Sequence, residues 1–269
     1  MLYTNFSVIK ARNSPNLGYP KAKITFSNLQ VMGVVLTRGA LLEFDGINFS
    51  IDSSNFANVV LNASGTDLLR VLYSNQSQFQ GELINLTFNG IIASDSSSAI
   101  HLLPTVSSSL GEGSRRLSSE GGSIINITDS QFFNISGQKG PALLLEDSSS
   151  AVTVAINGSS FNLTNATDRE GAIWSNTSAL SLDSCVFNST TAGYSGDYLY
   201  VESQSSIIQL TNCSVDENKT LALSDLSFGP TELQFAVTSA DSPIVYGVLA
   251  KNSSTLVPGP NGLSTNAIY

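Results

Sequence analysis

Fifteen asparagines of this chain stand in Asn-x-Ser/Thr triplets, the acceptor pattern for N-linked sugar: Asn5, Asn48, Asn62, Asn75, Asn85, Asn126, Asn134, Asn157, Asn162, Asn165, Asn176, Asn188, Asn212, Asn218 and Asn252. Ser and Thr make up roughly a quarter of the residues, so chance would put only about a quarter of the asparagines in such triplets. The chain puts most of them there. The chemistry this predicts is glycosylation in a secretory compartment, hence an extracellular or cell-surface location. A repeat that contains Asn and Ser would multiply the triplet without any sugar, and that alternative stands beside the chemical one.

Other groups able to do chemistry are few. The single histidine, His101, lies in Ala99-Ile100-His101-Leu102. There it reads as a structural histidine with its partners satisfied rather than as a general base. Asp168, Arg169 and Glu170 together resemble a calcium-and-base arrangement, but they occupy one short stretch and could simply be solvated. No catalytic residue, metal site or cofactor is assigned. Carboxylates on neighbouring strands can meet without a sequence motif, so glycosidase chemistry is the third-ranked reading. Trp174, Tyr194, Tyr198 and Tyr200 offer an aromatic strip for sugar stacking, with core filling as the commoner explanation.

The elements that position these groups come from an internal repeat. An apolar residue, four mostly polar residues and then Phe recur at 51–56, 83–88, 127–132, 156–161 and 182–187, with Val closing the unit at 210–215 and a weaker first member ending at Phe26. An Asn follows near the aromatic at Asn28, Asn58, Asn89, Asn134, Asn162 and Asn188. Strict alternation precedes each unit, as in Val152-Thr153-Val154-Ala155-Ile156, which predicts strands with one inward face. A second apolar cluster lies midway between units, for example Ala142-Leu143-Leu144-Leu145. Gly, Ser, Asn and Asp fill the connections, which suits tight turns and excludes crossover helices.

Two or three short strands per repeat of about 26–32 residues, with no helical period, predict an all-β right-handed parallel β-helix, a solenoid whose turns stack in register. The Phe positions should form an internal stack and the Asn positions an amide ladder. A β-sandwich also uses many short strands, but it needs hairpin signals that are sparse here. The long step between Phe88 and Phe132 holds a Ser- and Gly-rich stretch, 106–122, with Arg115-Arg116. It reads as an inserted surface loop, either a dibasic processing site or a tolerated insertion.

Cys185 and Cys213, the only cysteines, each follow the inward Leu of their unit, Leu182 and Leu210, by three residues. In a solenoid they stack one strand spacing apart, within the 4.4 to 6.8 Å α-carbon window of a disulfide. A bridge is the expectation, and two buried thiols are the alternative.

Composition narrows the partners. Only 12% of residues are charged, the net charge is -9 and the pI about 4.4, so clustered cations for nucleic acid are missing. No run of about 18 apolar residues marks a membrane span. Residues 1–23, more basic than the rest, read as an N-terminal cap or assembly segment, 24–220 as the β-helix, and 221–269 as a short C-terminal β segment that caps or assembles. Open solenoid ends invite further strands. Expected partners are therefore copies of the chain itself, or surface glycans.

Phe161-Asn162-Leu163-Thr164-Asn165 leading to Glu170-Gly171-Ala172-Ile173, and Phe132-Phe133-Asn134 leading to Gly140-Pro141-Ala142-Leu143, resemble the Phe-x-x-Asn and Gly-Gly-Ala-Ile repeats of chlamydial polymorphic membrane proteins, within the pectin-lyase-like β-helix group. The resemblance runs over 24–220, and the second Gly is mostly replaced. It implies an adhesive or structural surface protein. The same group holds pectate lyases and polygalacturonases, but the paired aspartates, Gly-His-Gly and Arg-Ile-Lys of the latter have no counterpart here. The functional expectation is a secreted structural glycoprotein, a filament or coat subunit, with an adhesin or carbohydrate-binding module as the alternative.

Overall fold

Every regular element of the computed structural model is a β-strand, and the strands belong to three sheets paired in parallel. The structure describes residues 2–4, 8–12, 22–73, 78–94, 96–104, 122–146, 152–177, 179–192, 198–201, 207–211, 213–215, 226–228 and 234–237. Each circuit of chain lays one strand in sheet C, turns into sheet A, turns again into sheet B, and returns to sheet C. One circuit is Gln80–Ile84, Thr87–Ala93 and Ile100–Pro104, and the next is Ser123–Thr128, Gln131–Lys139 and Leu143–Glu146. The fold is an all-β parallel solenoid, as the repeat predicts, with no helix among the described residues.

Register is what makes the repeat visible. Phe56 pairs with Phe88, Phe88 with Phe132, Phe132 with Phe161 and Phe161 with Phe187. Their rings stack at 5.2, 4.9, 4.7 and 4.8 Å, nearly parallel. The separation is that of the strands themselves, about 4.8 Å, so backbone pairing and ring stacking favour the same geometry. Around this column the inward residues of all three sheets, among them Leu69, Leu83, Ile100, Ile127, Leu143, Ile156 and Ile173, merge into one core.

Two columns of left-handed backbone turn the corners. Between sheets C and A it is adopted by Asn28, Ser53, Asn85, Asp129, Gly158 and Ser184. Two residues past each aromatic position, Gly33, Asn58, Gly90, Asn134, Leu163 and Ser189 adopt it again. Asn, Asp and Ser tolerate this conformation because short polar side chains bond their own backbone, so few glycines are needed. The expected continuous amide ladder does not form. Asn162 and Asn188 are register partners, but Asn89 pairs with Ala57 and Phe133, while Asn58 and Asn134 belong to the corner column. The corner needs positive φ rather than amide stacking, so any residue tolerant of it serves.

Within 1–23, Leu2–Thr4 and Ile9–Arg12 pair in parallel with Val34–Leu36 and with Leu42 to Asp45. Within 221–269, Leu226–Phe228 and Gln234–Val237 add to sheets B and C. Both ends of the described chain thus extend the same sheets. Residues 106–121 of the expected loop, and 238–269 of the expected C-terminal segment, lie outside the described residues.

Gly81 shows how tightly the core is filled, since a β-carbon there would lie 2.5 Å from Cζ of the buried Phe49 ring. Gly81→Ala should cost about 1–3 kcal/mol by overpacking, and Phe132→Ala about 3–5 kcal/mol by opening a void in the ring column. Denaturant unfolding followed by circular dichroism measures both.

Candidate functional site

Sheet B carries the ionisable groups. Leu42 and Phe44 point into the core, as do Ile100 and Leu102, so the intervening Glu43 and His101 face outward. In register this outward row reads Lys10, Glu43, Arg70, His101, Leu144, Trp174 and Tyr200. Outward here does not mean exposed: Glu43, His101, Leu144 and Trp174 are all buried.

Each cation of the row meets an anion in the row or beside it. Lys10 pairs with Glu43, and Glu43 lies 3.6 Å from the Arg70 guanidinium. Arg70 Nε donates to Oδ2 of the fully buried Asp67 at 2.7 Å, and its Nη2 reaches the carbonyls of Gly39 and Gly65. Asp67 Oδ1 takes the Ser98 N–H at 3.3 Å and His101 Nδ1 at 3.1 Å. His101 Nε2 lies 3.7 Å from Glu146 Oε1, an ion contact rather than a hydrogen bond. Leaving His101 neutral gives two cations against three anions, and protonating it balances the set. Burial, the largest single influence, disfavours the cation, but the contacts to Asp67 and Glu146 together outweigh it and raise the His101 pKa from 6.5 to about 9. Glu146 is lowered in turn, chiefly by its contact with His101.

A histidine held cationic at neutral pH has no lone pair with which to accept a proton. Its geometry is that of a brace joining three successive strands, in keeping with the structural reading. The side chains of Asp168, Arg169 and Glu170 lie outside the described residues. Among the described residues no group of three or more His, Cys, Asp or Glu could hold a metal ion, and no helix is long and apolar enough to cross a membrane.

The aromatic strip is not formed. Trp174 is only 3% exposed, with the Lys139 ammonium 3.7 Å from its ring centroid, and Tyr198 packs edge-on against Phe187. Tyr194 lies outside the described residues. The indole N–H of Trp174 is buried without a partner.

The two cysteines occupy one corner column, as the repeat predicts, and both are buried free thiols. Their column is otherwise a serine device. Ser54, Ser130 and Ser159 each donate to the carbonyl two residues back, at 2.8, 3.0 and 3.1 Å. The same oxygens accept the N–H of Leu29, Leu86 and Ser130 from the preceding turn, at 3.0, 3.2 and 3.1 Å. Cys185 copies the donor half, its Sγ reaching the Asp183 carbonyl at 3.5 Å and that of Ile156 at 3.4 Å. Cys213 Sγ donates to the Leu182 carbonyl at 3.5 Å. The neighbouring Cys213 thiol and then burial push the Cys185 thiol pKa up, which keeps it a thiol.

Asn5, Asn75, Asn212, Asn218 and Asn252 lie outside the described residues. None of the other ten triplet asparagines is buried, and Asn62, Asn85, Asn134 and Asn165 are fully in the exposed class. Sheet A carries Asn134, Asn162, Asn165 and Asn188, sheet C carries Asn48, Asn126 and Asn157, and sheet B only Asn176 at a strand end.

Because its pKa is raised in the fold, His101 contributes stability that is complete below pH 6.5 and lost as pH rises through about 9. The amount is on the order of 3 kcal/mol. Denaturation midpoints between those pH values should fall in the native chain and stay flatter in His101→Gln.

Comparison with family models, with curated proteins and with solved structures finds no match, so the functional argument rests on the solenoid's faces and ends.

Proposed function

We propose that this chain is a secreted structural glycoprotein, a subunit of an extracellular filament or cell-surface coat that associates with copies of itself through its solenoid ends. The observation that supports the reading is the half-covered apolar column at the end strand of sheet C. Lys23–Ser27 is the terminal strand of sheet C, paired only with Asn48–Asp52, and its other edge has no partner strand among the described residues. Ile24, Phe26, Leu29 and Val31 are only partly buried, whereas the residues stacked beneath Phe26 and Val31, Ile51 and Phe56, are 0% exposed. An unpaired edge beside a half-covered apolar column is a template for another parallel strand. The pectin-lyase-like resemblance, with the right-handed coil it implies, points to the same class of surface protein.

Asn28 donates its N–H to Asp52, so by alternation the Thr25 N–H points to the open edge. Thr25 is exposed, and Pro is tolerated on an edge strand, so Thr25→Pro should leave the fold intact while removing the donor that an incoming strand needs. Electron microscopy and light scattering should show end-to-end oligomers of the native chain at high concentration and monomers of Thr25→Pro. A native chain that stays monomeric without fibres defeats the proposal.

In the secretory pathway we further assign Cys185 and Cys213 a disulfide. Both thiols lose a proton, one S–S bond forms, and two electrons pass to an oxidant of the protein-disulfide class. Alkylation of the denatured secreted chain without reductant should add no label, and two labels would show the thiol pair persisting.

A further inference from the structure

Two outward rows of sheet A carry no charged residue, unlike the outer faces of the other two sheets. From Asn55–Leu61 through Thr87–Ala93, Gln131–Lys139, Ser160–Glu170 and Val186–Asn188, its outward row reads Ala57, Asn89, Phe133, Asn162 and Asn188. The next outward row reads Val60, Ile92, Ser136, Asn165 and Thr191. Sheet B carries the ion row, and sheet C presents Lys23, Asp52, Glu82 and Asp183. On this face of sheet A three large apolar side chains stand in solvent on adjacent strands: Ile92 at 55%, Phe133 at 41% and Leu163 at 49% exposure. Exposed apolar side chains beside uncharged rows are a liability unless something covers them.

The cover is written into the same rows. Phe133 lies directly in register with Asn162, and Asn162 with Asn188, so one exposed ring is followed on its own row by two acceptor asparagines. Asn134 neighbours Phe133 in sequence, and Asn165 stands two places along in the second row. Its Oδ1 already accepts a hydrogen bond from Thr191. Register partners lie about 4.8 Å apart, which puts a sugar attached to Asn162 beside the Phe133 ring. A pyranose has one face of axial C–H groups, apolar enough to lie on an aromatic ring while its hydroxyls stay in water.

We propose that the outer face of sheet A is sheathed by the chain's own N-linked sugars, with the first N-acetylglucosamine on Asn162 seated against Phe133 and Leu163. The inference rests on the glycoprotein reading and deepens it by naming the face. In the transfer, the Asn162 amide nitrogen bonds to C1 of an oligosaccharide carried on a lipid pyrophosphate. The C1–O bond breaks, the pyrophosphate leaves with the bonding pair, and the displaced amide proton passes to a base. The triplet's Thr164 is 0% exposed, so transfer precedes closure of sheet A.

The test uses the full chain secreted from eukaryotic cells. Enzymatic sugar release in heavy-oxygen water marks each occupied asparagine, and peptide mass spectrometry should find the mark on Asn162. After release, binding of an apolar-surface dye should rise several-fold, and Phe133→Ser should abolish that rise. A mark on Asn126 and Asn157 of sheet C with none on Asn162 overturns this inference and leaves the glycoprotein reading standing. No mark anywhere overturns both. A marked Asn162 with unchanged dye binding after release, or intact sugar with another protein seated on Phe133, overturns the sheathing.

Discussion

Parallel strands that repeat at one spacing impose a single rule on this molecule: each residue must sit over its own equivalent one turn earlier. Backbone hydrogen bonds between successive turns hold that register, and every column of side chains inherits it. Rings stack because the distance that suits strands also suits aromatic faces. A slip of one residue would turn the core column outward along a whole strand, which is why the Phe positions and the corner positions keep step. Extra residues are admitted between strands or at a strand's far end, as where the register shifts between Gly137 and Lys139, clear of the aromatic column.

The same rule governs the polar groups. At three corners between sheets C and A, those of Ser54, Ser130 and Ser159, a buried hydroxyl answers both its own carbonyl and the N–H of the turn before, which satisfies what a tight turn would leave unpaired. Cysteine enters this column as a poorer but adequate donor. The two thiols are therefore neighbours for a reason that precedes any redox chemistry: the corner accepts a small buried donor, and two successive corners happen to use sulfur. On sheet B, stacking turns a set of scattered charges into a paired network, in which the fully buried Asp67 is acceptable because Arg70 and His101 both reach it.

A solenoid has three long faces and two ends, and in this chain they are chemically distinct. Sheet B is ionic and shielded, sheet C is polar with scattered charge, and sheet A carries two uncharged rows with acceptor asparagines around exposed apolar groups. Division of labour follows from that distribution: the ends offer strand edges, and the flanks keep lateral contact in check. Aggregation side by side and growth end to end use different surfaces, so a self-assembling subunit can suppress one while keeping the other.

The sequence by itself determined the all-β stacked architecture, the aromatic column and the equivalence of Cys185 with Cys213. These depend on inward residues, whose apolar character recurs with the turn and so prints the period into the chain. Tertiary structure alone decided what the outward residues do. Asp67, His101 and Glu146 come from three different turns at positions that share no motif, and polar character on a strand does not reveal whether something shields it. Trp174 looked available for stacking sugar and proved buried under Lys139. The asparagines near the aromatics looked like one ladder and proved to divide between a strand row and a corner, because positive φ selects for backbone tolerance and leaves the side chain's identity free.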